Sequence, residues 1–243
     1  MRIPVWAAEL AIEFWRDANV REQFPRELYS AVRRAGLSVL IVAELTLDRL
    51  QSWLDGAGIV CELSVTDRRL KAALYARNGE GIAFIDGSDS PDEQRYSLAH
   101  ELAHFLRDYL KRRRQVESRL GTAALDVFDG HRPPRPQERL DSLLRFTQIG
   151  HYLHLLDRDE RGNPANATIA RVEEDADRLA FEILAPGQHI VTNVPNWRKR
   201  NALIAALVDV YGLPAPQASR YADVLIPKEG PSDPVLRKLR ILN

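Results

Sequence analysis

The sequence has few of the features that mark secreted, membrane-spanning or nucleic-acid-binding proteins. One cysteine, Cys61, occurs in 243 residues, so no internal disulfide can form and a reducing compartment is expected. The longest mainly apolar run, Leu37 to Ala43, is far shorter than the about 20 residues that cross a bilayer. Basic and acidic residues number 34 each and give a formal net charge of zero. This balance disfavours direct nucleic-acid binding, because such proteins are normally basic.

A targeting segment is not expected at the N-terminus. The stretch from Val5 to Trp15 is predicted to be an amphipathic helix, since Glu9 and Glu13 interrupt its apolar residues. A hydrophobic content of 45% over this length is enough for one large domain, or for a core with appendages. We therefore expect a soluble cytoplasmic protein without membrane contact.

The pattern His-Glu-x-x-His is the feature with the clearest chemical meaning. It lies in residues 97–106, Ser-Leu-Ala-His-Glu-Leu-Ala-His-Phe-Leu, within a helical repeat of apolar residues. His100 and His104 are four residues apart, so both imidazoles lie on one face of a helix and can hold one Zn²⁺ ion. Glu101 projects beside that face and can take a proton from the attacking water as a general base. The alternative is a pair of buried structural histidines, which would leave Glu101 buried and in need of a partner.

A third protein ligand is expected on a second helix, because catalytic zinc usually takes three side chains and leaves one position to water. The stretch from Arg171 to Ala185 has a helical pattern, with Glu173 and Asp177 four residues apart on one face. In that arrangement Glu173 can bind the metal, and Asp177 can accept a hydrogen bond from the outer nitrogen of a ligand histidine. Glu174 is the alternative ligand, and a solvated acidic face is the other interpretation of this charged run.

Four further side chains are candidates for stabilising an oxyanion or contacting substrate: Tyr75, Tyr96, His151 and His154. The two histidines are three residues apart on a predicted strand, so they face opposite sides and at most one is expected to reach the site. Asp108 lies a full turn beyond the second histidine of the motif and is expected to be peripheral.

The order of predicted elements indicates an α+β fold, with a small sheet before the histidine helix. A free edge of that sheet can hold an extended substrate strand by main-chain hydrogen bonds. Helices are predicted near residues 5–18, 26–35, 46–55, 138–145, 197–211 and 215–225, strands at 38–42 and 59–65, and a hairpin at 72–77 and 81–86.

Two stretches of the chain resemble the ImmA/IrrE family of zinc metallo-endopeptidases. Residues 95–104 read Arg-Tyr-Ser-Leu-Ala-His-Glu-Leu-Ala-His, and residues 173–186 follow Glu-x-x-Ala-Asp-x-Leu-Ala-x-x-Ile-Leu-Ala-Pro. The family usually has asparagine where Asp177 stands here, and phenylalanine where Leu179 stands. The resemblance covers roughly residues 46 to 186. It implies a minimal zincin-like fold, in which a small, mostly antiparallel sheet packs on the two ligand-bearing helices and further helices lie at both ends.

The resemblance also implies a domain organisation and a function. Residues 1–45 would be a helical extension, 46–190 the metallopeptidase domain and 191–243 a C-terminal helical region. An insertion at about 119–166 makes the domain longer than is common in the family, and it can form a lid or a specificity surface. The implied activity is zinc-dependent cleavage of a helix-turn-helix repressor, in stress or mobile-element regulation. The alternative is a non-catalytic zinc-bearing module that sequesters a repressor, but such a module has no use for Glu101.

Overall fold

The fold is organised around a four-stranded sheet, shown in a computed structural model that describes residues 3–63, 66–135, 149–157 and 167–226. The strand order is β1-β3-β2-β4, with β1 parallel to β3 and the other two pairs antiparallel. The predicted α+β class and the small, mostly antiparallel sheet are therefore confirmed. The strands are β1 (Leu37–Val42), β2 (Leu70–Arg77), β3 (Glu80–Asp86) and β4 (Tyr152–Asp157).

Helices cover both faces of this sheet. A π-helical turn, Phe105–Leu110, continues α4 without a break, and a short 3₁₀ helix, Thr122–Ala124, precedes α6. None of the helices in the described ranges is long and apolar enough to cross a membrane. The α-helices are α1 (Val5–Ala18), α2 (Leu28–Arg34), α3 (Leu47–Gly56), α4 (Pro91–His104), α5 (Lys111–Leu120), α6 (Leu125–Phe128), α7 (Ala167–Leu184), α8 (Gly187–Asn193), α9 (Arg200–Asp209) and α10 (Ala215–Leu225).

Alternate residues of the sheet enter two separate hydrophobic clusters. Leu74 and Ala76 of β2 join the larger cluster with α4, whereas Ala73 and Tyr75 join a smaller cluster with the leucines of α3. This alternation follows from the two-residue period of a strand. The turn between β2 and β3 consists of Asn78 and Gly79, both with positive φ (57° and 87°), as the tight hairpin requires. The sheet therefore presents one face to α4 and the other to α3.

One predicted strand is wrong. Residues 59–63 of the predicted strand 59–65 have no strand partner, and residues 64–65 lie outside the described part of the chain. The side-chain amide of Gln51 forms hydrogen bonds with the backbone of this segment instead. Its nitrogen donates to the carbonyl of Cys61, and its oxygen accepts from the N–H of Leu63. A side chain has therefore replaced a neighbouring strand as the hydrogen-bond partner. The predicted helix at 138–145 also lies outside the described residues.

The N- and C-terminal helices pack into the larger cluster together with α4 and α7. Trp15 of α1 donates its indole N–H to the carbonyl of Ile183 at the end of α7. Tyr221 of α10 donates to the buried carboxylate of Glu182, which also accepts from the N–H of Gly187. Burial raises the pKa of Glu182 above its ordinary value. The terminal helices thus share one core with α7, and the domain boundaries at 45 and 190 stay predictions.

We predict that Gly81→Ala lowers the free energy of unfolding by about 1–3 kcal/mol, because overpacking strains a filled core. A Cβ at Gly81 would lie 2.9 Å from atoms of both Leu37 and Phe105. Gly56→Ala is the matched control, since a Cβ there meets nothing within 4 Å, and alanine favours the helix by about 0.5–1 kcal/mol. Urea denaturation of both variants checks this, and an unchanged midpoint for Gly81→Ala contradicts it.

Candidate metal centre

Helix α4 brings the two histidines of the motif together on one buried face. The Nε2 atoms of His100 and His104 lie 3.2 Å apart, and their rings are inclined by 65°. His100 is 2% exposed and His104 is fully buried. The two nitrogens are therefore close enough to share one ion, and both rings are shielded from bulk solvent.

Helix α7 supplies the carboxylate that faces this position. Oε2 of Glu173 lies 3.2 Å from Nε2 of His100 and 3.6 Å from Nε2 of His104. Glu174 points outward, where its side chain is 59% exposed and pairs with Arg178. The structure thus places the first of the two predicted alternatives at the cluster and the second at the surface.

The outer nitrogens of both histidines are held by aspartates. Oδ1 of Asp177 lies 3.1 Å from Nδ1 of His100 and accepts a hydrogen bond from the Tyr96 hydroxyl at 2.5 Å. Arg220 of α10 donates to the other oxygen of the same carboxylate. Tyr96, predicted as a possible oxyanion donor, therefore acts on Asp177. Such partners fix the tautomer and the orientation of a ligand histidine.

The expectation that Asp108 is peripheral is wrong. Its Oδ2 lies 2.8 Å from Nδ1 of His104, and the residue is 7% exposed. The π-helical turn that follows His104 carries this carboxylate, and π-helical turns are frequent at functional sites. Each histidine of the motif therefore has one buried aspartate on its outer nitrogen.

Strand β4 adds a histidine to the cluster from the far edge of the sheet. His154 stacks on His104 with ring centroids 3.7 Å apart, and its Nε2 lies 3.2 Å from Oε1 of Glu173. His151 stacks on Tyr75 instead, with centroids 5.8 Å apart. Tyr75 packs in the smaller cluster on the α3 face of the sheet. The structure therefore brings one of the two strand histidines to the site, and it places His151 and Tyr75 on the opposite face.

Tyr152 was missing from the candidates drawn from the sequence. Its hydroxyl lies 3.4 Å from Nδ1 of His104, and burial raises the pKa of the phenol above its ordinary value. The signal that could have found it is the two-residue period of the strand, because Tyr152 and His154 share a face.

Glu101 is completely buried beside the cluster, with one oxygen occupied and one free. Oε2 lies 2.9 Å from Nδ1 of His154, whereas Oε1 has no hydrogen-bond partner among the described residues. A buried carboxylate oxygen without a partner is costly. An ion with a water ligand at the cluster would relieve that cost, so this orphan oxygen fits a bound metal.

The charges of the site also suit a cation. Burial alone would lower the pKa of His100, but its hydrogen bonds with Asp177 and Glu173 outweigh burial and raise the pKa to about 9. Burial alone would raise the pKa of Glu173, but hydrogen bonds with three histidines hold it well below its usual range. Both shifts show that the carboxylates stabilise positive charge at this point.

Donor atoms of His100, His104, His154 and Glu173 lie within 4.8 Å of one another. Imidazole nitrogens combined with a carboxylate suit a divalent transition metal. The residues present therefore fit a metal ion.

Comparison with known proteins agrees with this arrangement. Residues 59–124 match the family model Peptidase_M78, the IrrE N-terminal-like domain, and they include both histidines of the motif and Glu101. Glu173 and His154 lie beyond the matched segment. No curated protein and no solved structure matches the chain significantly. Residues 59–124 are therefore similar to the IrrE N-terminal-like domain of a peptidase family, which supports the predicted resemblance to the ImmA/IrrE family.

Proposed function

We propose that the protein is a zinc-dependent endopeptidase. The observation that carries the proposal is the orphan Oε1 of Glu101, a buried carboxylate whose other oxygen contacts His154 of the cluster. A metal site with a purely structural role does not require a carboxylate oxygen without a hydrogen-bond partner. A general base does, because it needs a free lone pair directed at the reacting water. The family match supports the same class of activity.

His100, His104 and Glu173 would hold the Zn²⁺ ion. Bound zinc lowers the pKa of a water ligand to about 7 and polarises the carbonyl of the scissile bond. Asp177 and Asp108 keep the outer nitrogens of the two histidines protonated, so that Nε2 of each ring is free to coordinate.

Glu101 would perform the proton transfers. Its free Oε1 accepts the proton of the attacking water, and the same carboxyl group then delivers that proton to the leaving amine. Of the four predicted oxyanion donors, His154 alone faces the cluster, and both of its nitrogens already face carboxylates. An oxyanion donor is therefore not assigned to any of the four.

The substrate would bind as an extended strand along β4. In the order β1-β3-β2-β4, one side of β4 has no strand partner within the described residues. The same strand carries His154 into the cluster, so a peptide paired to its free edge by main-chain hydrogen bonds would pass close to the metal. A cavity of about 160 Å³ opens beside the site, lined by Lys71, Leu156, Gln217 and Arg220 among others. It would receive a side chain of the bound peptide.

On the strength of the family resemblance, we propose a helix-turn-helix repressor as the substrate, with a role in stress or mobile-element regulation in the cytoplasm. A repressor encoded next to this protein should be cut into defined fragments, and 1,10-phenanthroline should abolish the cleavage. Gel electrophoresis and mass spectrometry of the mixture check this. A stable complex without fragments would instead support the non-catalytic sequestering module.

We predict that Glu101→Gln keeps one bound zinc per chain but lowers kcat by at least about 100-fold, because the amide cannot accept the proton. Metal content by atomic emission and cleavage of internally quenched peptides measure the two effects. Glu174→Gln is the matched control and should behave as the parent, since Glu174 is exposed. A Glu101→Gln variant that cleaves at the parental rate rules out the general-base role.

We predict that Asp108→Asn weakens zinc binding about 10-fold or more, because an outer carboxylate raises the basicity of its ligand histidine. Asp126→Asn is the control, because Asp126 is exposed and lies outside the cluster. Competition with a chromophoric chelator at fixed pH gives both affinities. Equal affinities for the two variants would mean that the contact with His104 has no effect on the metal.

A further inference from the structure

We propose that His154 is a positioning residue that holds Glu101 and Glu173 together through its two ring nitrogens. The inference rests on the proposed function, since it assigns these carboxylates the roles of general base and metal ligand. It concerns a residue outside the segment that matches the family model.

The geometry around His154 is that of a bridge between two carboxylates. Nδ1 lies 2.9 Å from Oε2 of Glu101, and Nε2 lies 3.2 Å from Oε1 of Glu173. Carboxylate oxygens only accept, so each ring nitrogen donates in this arrangement. The side chain of His154 is only 12% exposed, and hydrogen bonds to charged groups in such surroundings are strong. One imidazole on β4 thereby fixes side chains from α4 and α7.

Each carboxylate gives one oxygen to His154 and keeps the other for chemistry. Oε1 of Glu101 has no partner among the described residues, and Oε2 of Glu173 faces Nε2 of His100 at 3.2 Å. Without the bridge, either carboxylate could rotate about its terminal bond and move its other oxygen out of position. His154 therefore fixes the orientation in which Glu101 accepts the proton and Glu173 meets the metal.

The competing role for His154 is that of a fourth protein ligand, because its donor atom lies within the cluster. The ring arrangement argues against this role. His154 lies nearly parallel to His104, with 26° between the planes and 3.7 Å between centroids, whereas His100 and His104 are 65° and 4.9 Å apart. Rings that bind one ion splay outward from it, whereas stacked rings lie side by side. A fourth side chain would also occupy the position that catalytic zinc leaves to water.

His154 also gives a role to the predicted insertion at 119–166. That this region can form a lid or a specificity surface stays a prediction. Its described residues 149–157 add β4 to the sheet and place this imidazole at the site. The start of β4 is held by the N–H of Gly150, which donates to the carbonyl of Phe128. The insertion therefore contributes a part of the catalytic cluster.

Three substitutions of His154 separate the two halves of the bridge. In His154→Asn the amide nitrogen can replace Nδ1 and keep the bond to Glu101, and in His154→Gln it can replace Nε2 and keep the bond to Glu173. His154→Phe retains the ring stacked on His104 but loses both bonds. His151→Phe is the matched control on the other face of the strand. The readouts are zinc affinity by chelator competition, the visible spectrum of the Co²⁺-substituted protein, and kcat on quenched peptides at saturating zinc.

We expect His154→Asn to weaken zinc binding about 10-fold or more, as loss of an outer partner does, while it retains most of kcat. His154→Gln should bind zinc as the parent does but lose about 100-fold in kcat, because the base is misplaced. His154→Phe should show both losses, and His151→Phe neither. The Co²⁺ spectrum should keep the same band positions and intensities throughout, because the ligand set is unchanged.

Two results would overturn the proposal. A Co²⁺ spectrum that loses a nitrogen ligand in His154→Phe and His154→Gln would make His154 a ligand. Parental affinity and kcat in all three His154 variants would leave it without a positioning role. If the parent binds zinc but cleaves no peptide, the endopeptidase proposal fails by itself. A selective loss of zinc affinity in His154→Asn would then still support the contact with Glu173.

Discussion

The packing of α4 against α7 is the constraint on which the rest of the site depends. The ring of His100 lies between two carboxylates of α7, with Glu173 at its inner nitrogen and Asp177 at its outer nitrogen. Ala103 of α4 and Ala176 of α7 are completely buried next to these residues, and their small side chains allow the two backbones to approach closely. The cost of burying these charges is offset only while the two helices stay in register, because each group then has a partner. The metal cluster and the larger hydrophobic core are thus one assembly.

The polar groups around the cluster form a network that reaches the C-terminal helices. Asp177 accepts hydrogen bonds from the hydroxyl of Tyr96 and from the guanidinium of Arg220 on α10. Burial alone would raise the pKa of Asp177, but the hydrogen bond with His100 outweighs burial and the pKa falls to about 2. Arg107 in the π-helical turn binds Asp175 and the carbonyl of Val172, which fixes that turn to α7. A buried network of this kind favours a single arrangement of the helices, because any polar group that lost a hydrogen-bond partner would destabilise the fold. Arg220, in the region predicted to lie outside the catalytic domain, is therefore part of the support for the site.

The sequence was most informative where the physics is local. A spacing of four residues on a helix is enough to place His100 with His104, and Glu173 with Asp177, on common faces. It does not determine how a strand pairs with a distant partner, so the approach of His154 to Glu101 could not be derived. Local patterns also cannot show that the amide of Gln51 replaces a strand at 59–63, since apolar residues with β propensity fit either state. Asp108 was expected to be peripheral because only its distance along the helix was considered. Nδ1 of His104 points toward the following turn, where Asp108 lies.

The order in which the parts of the cluster occur along the chain has a consequence for biosynthesis. The two histidines of the motif lie near residue 100, but β4, α7 and α10 follow much later, and among the described residues the last contact along the chain comes from Arg220. Because a ribosome delivers the N-terminal part first, a nascent chain displays the helix with the two histidines long before the carboxylates and the guanidinium that complete the cluster. The cluster is therefore complete only once synthesis has passed Arg220, and a product that ends before α10 lacks this part of its support.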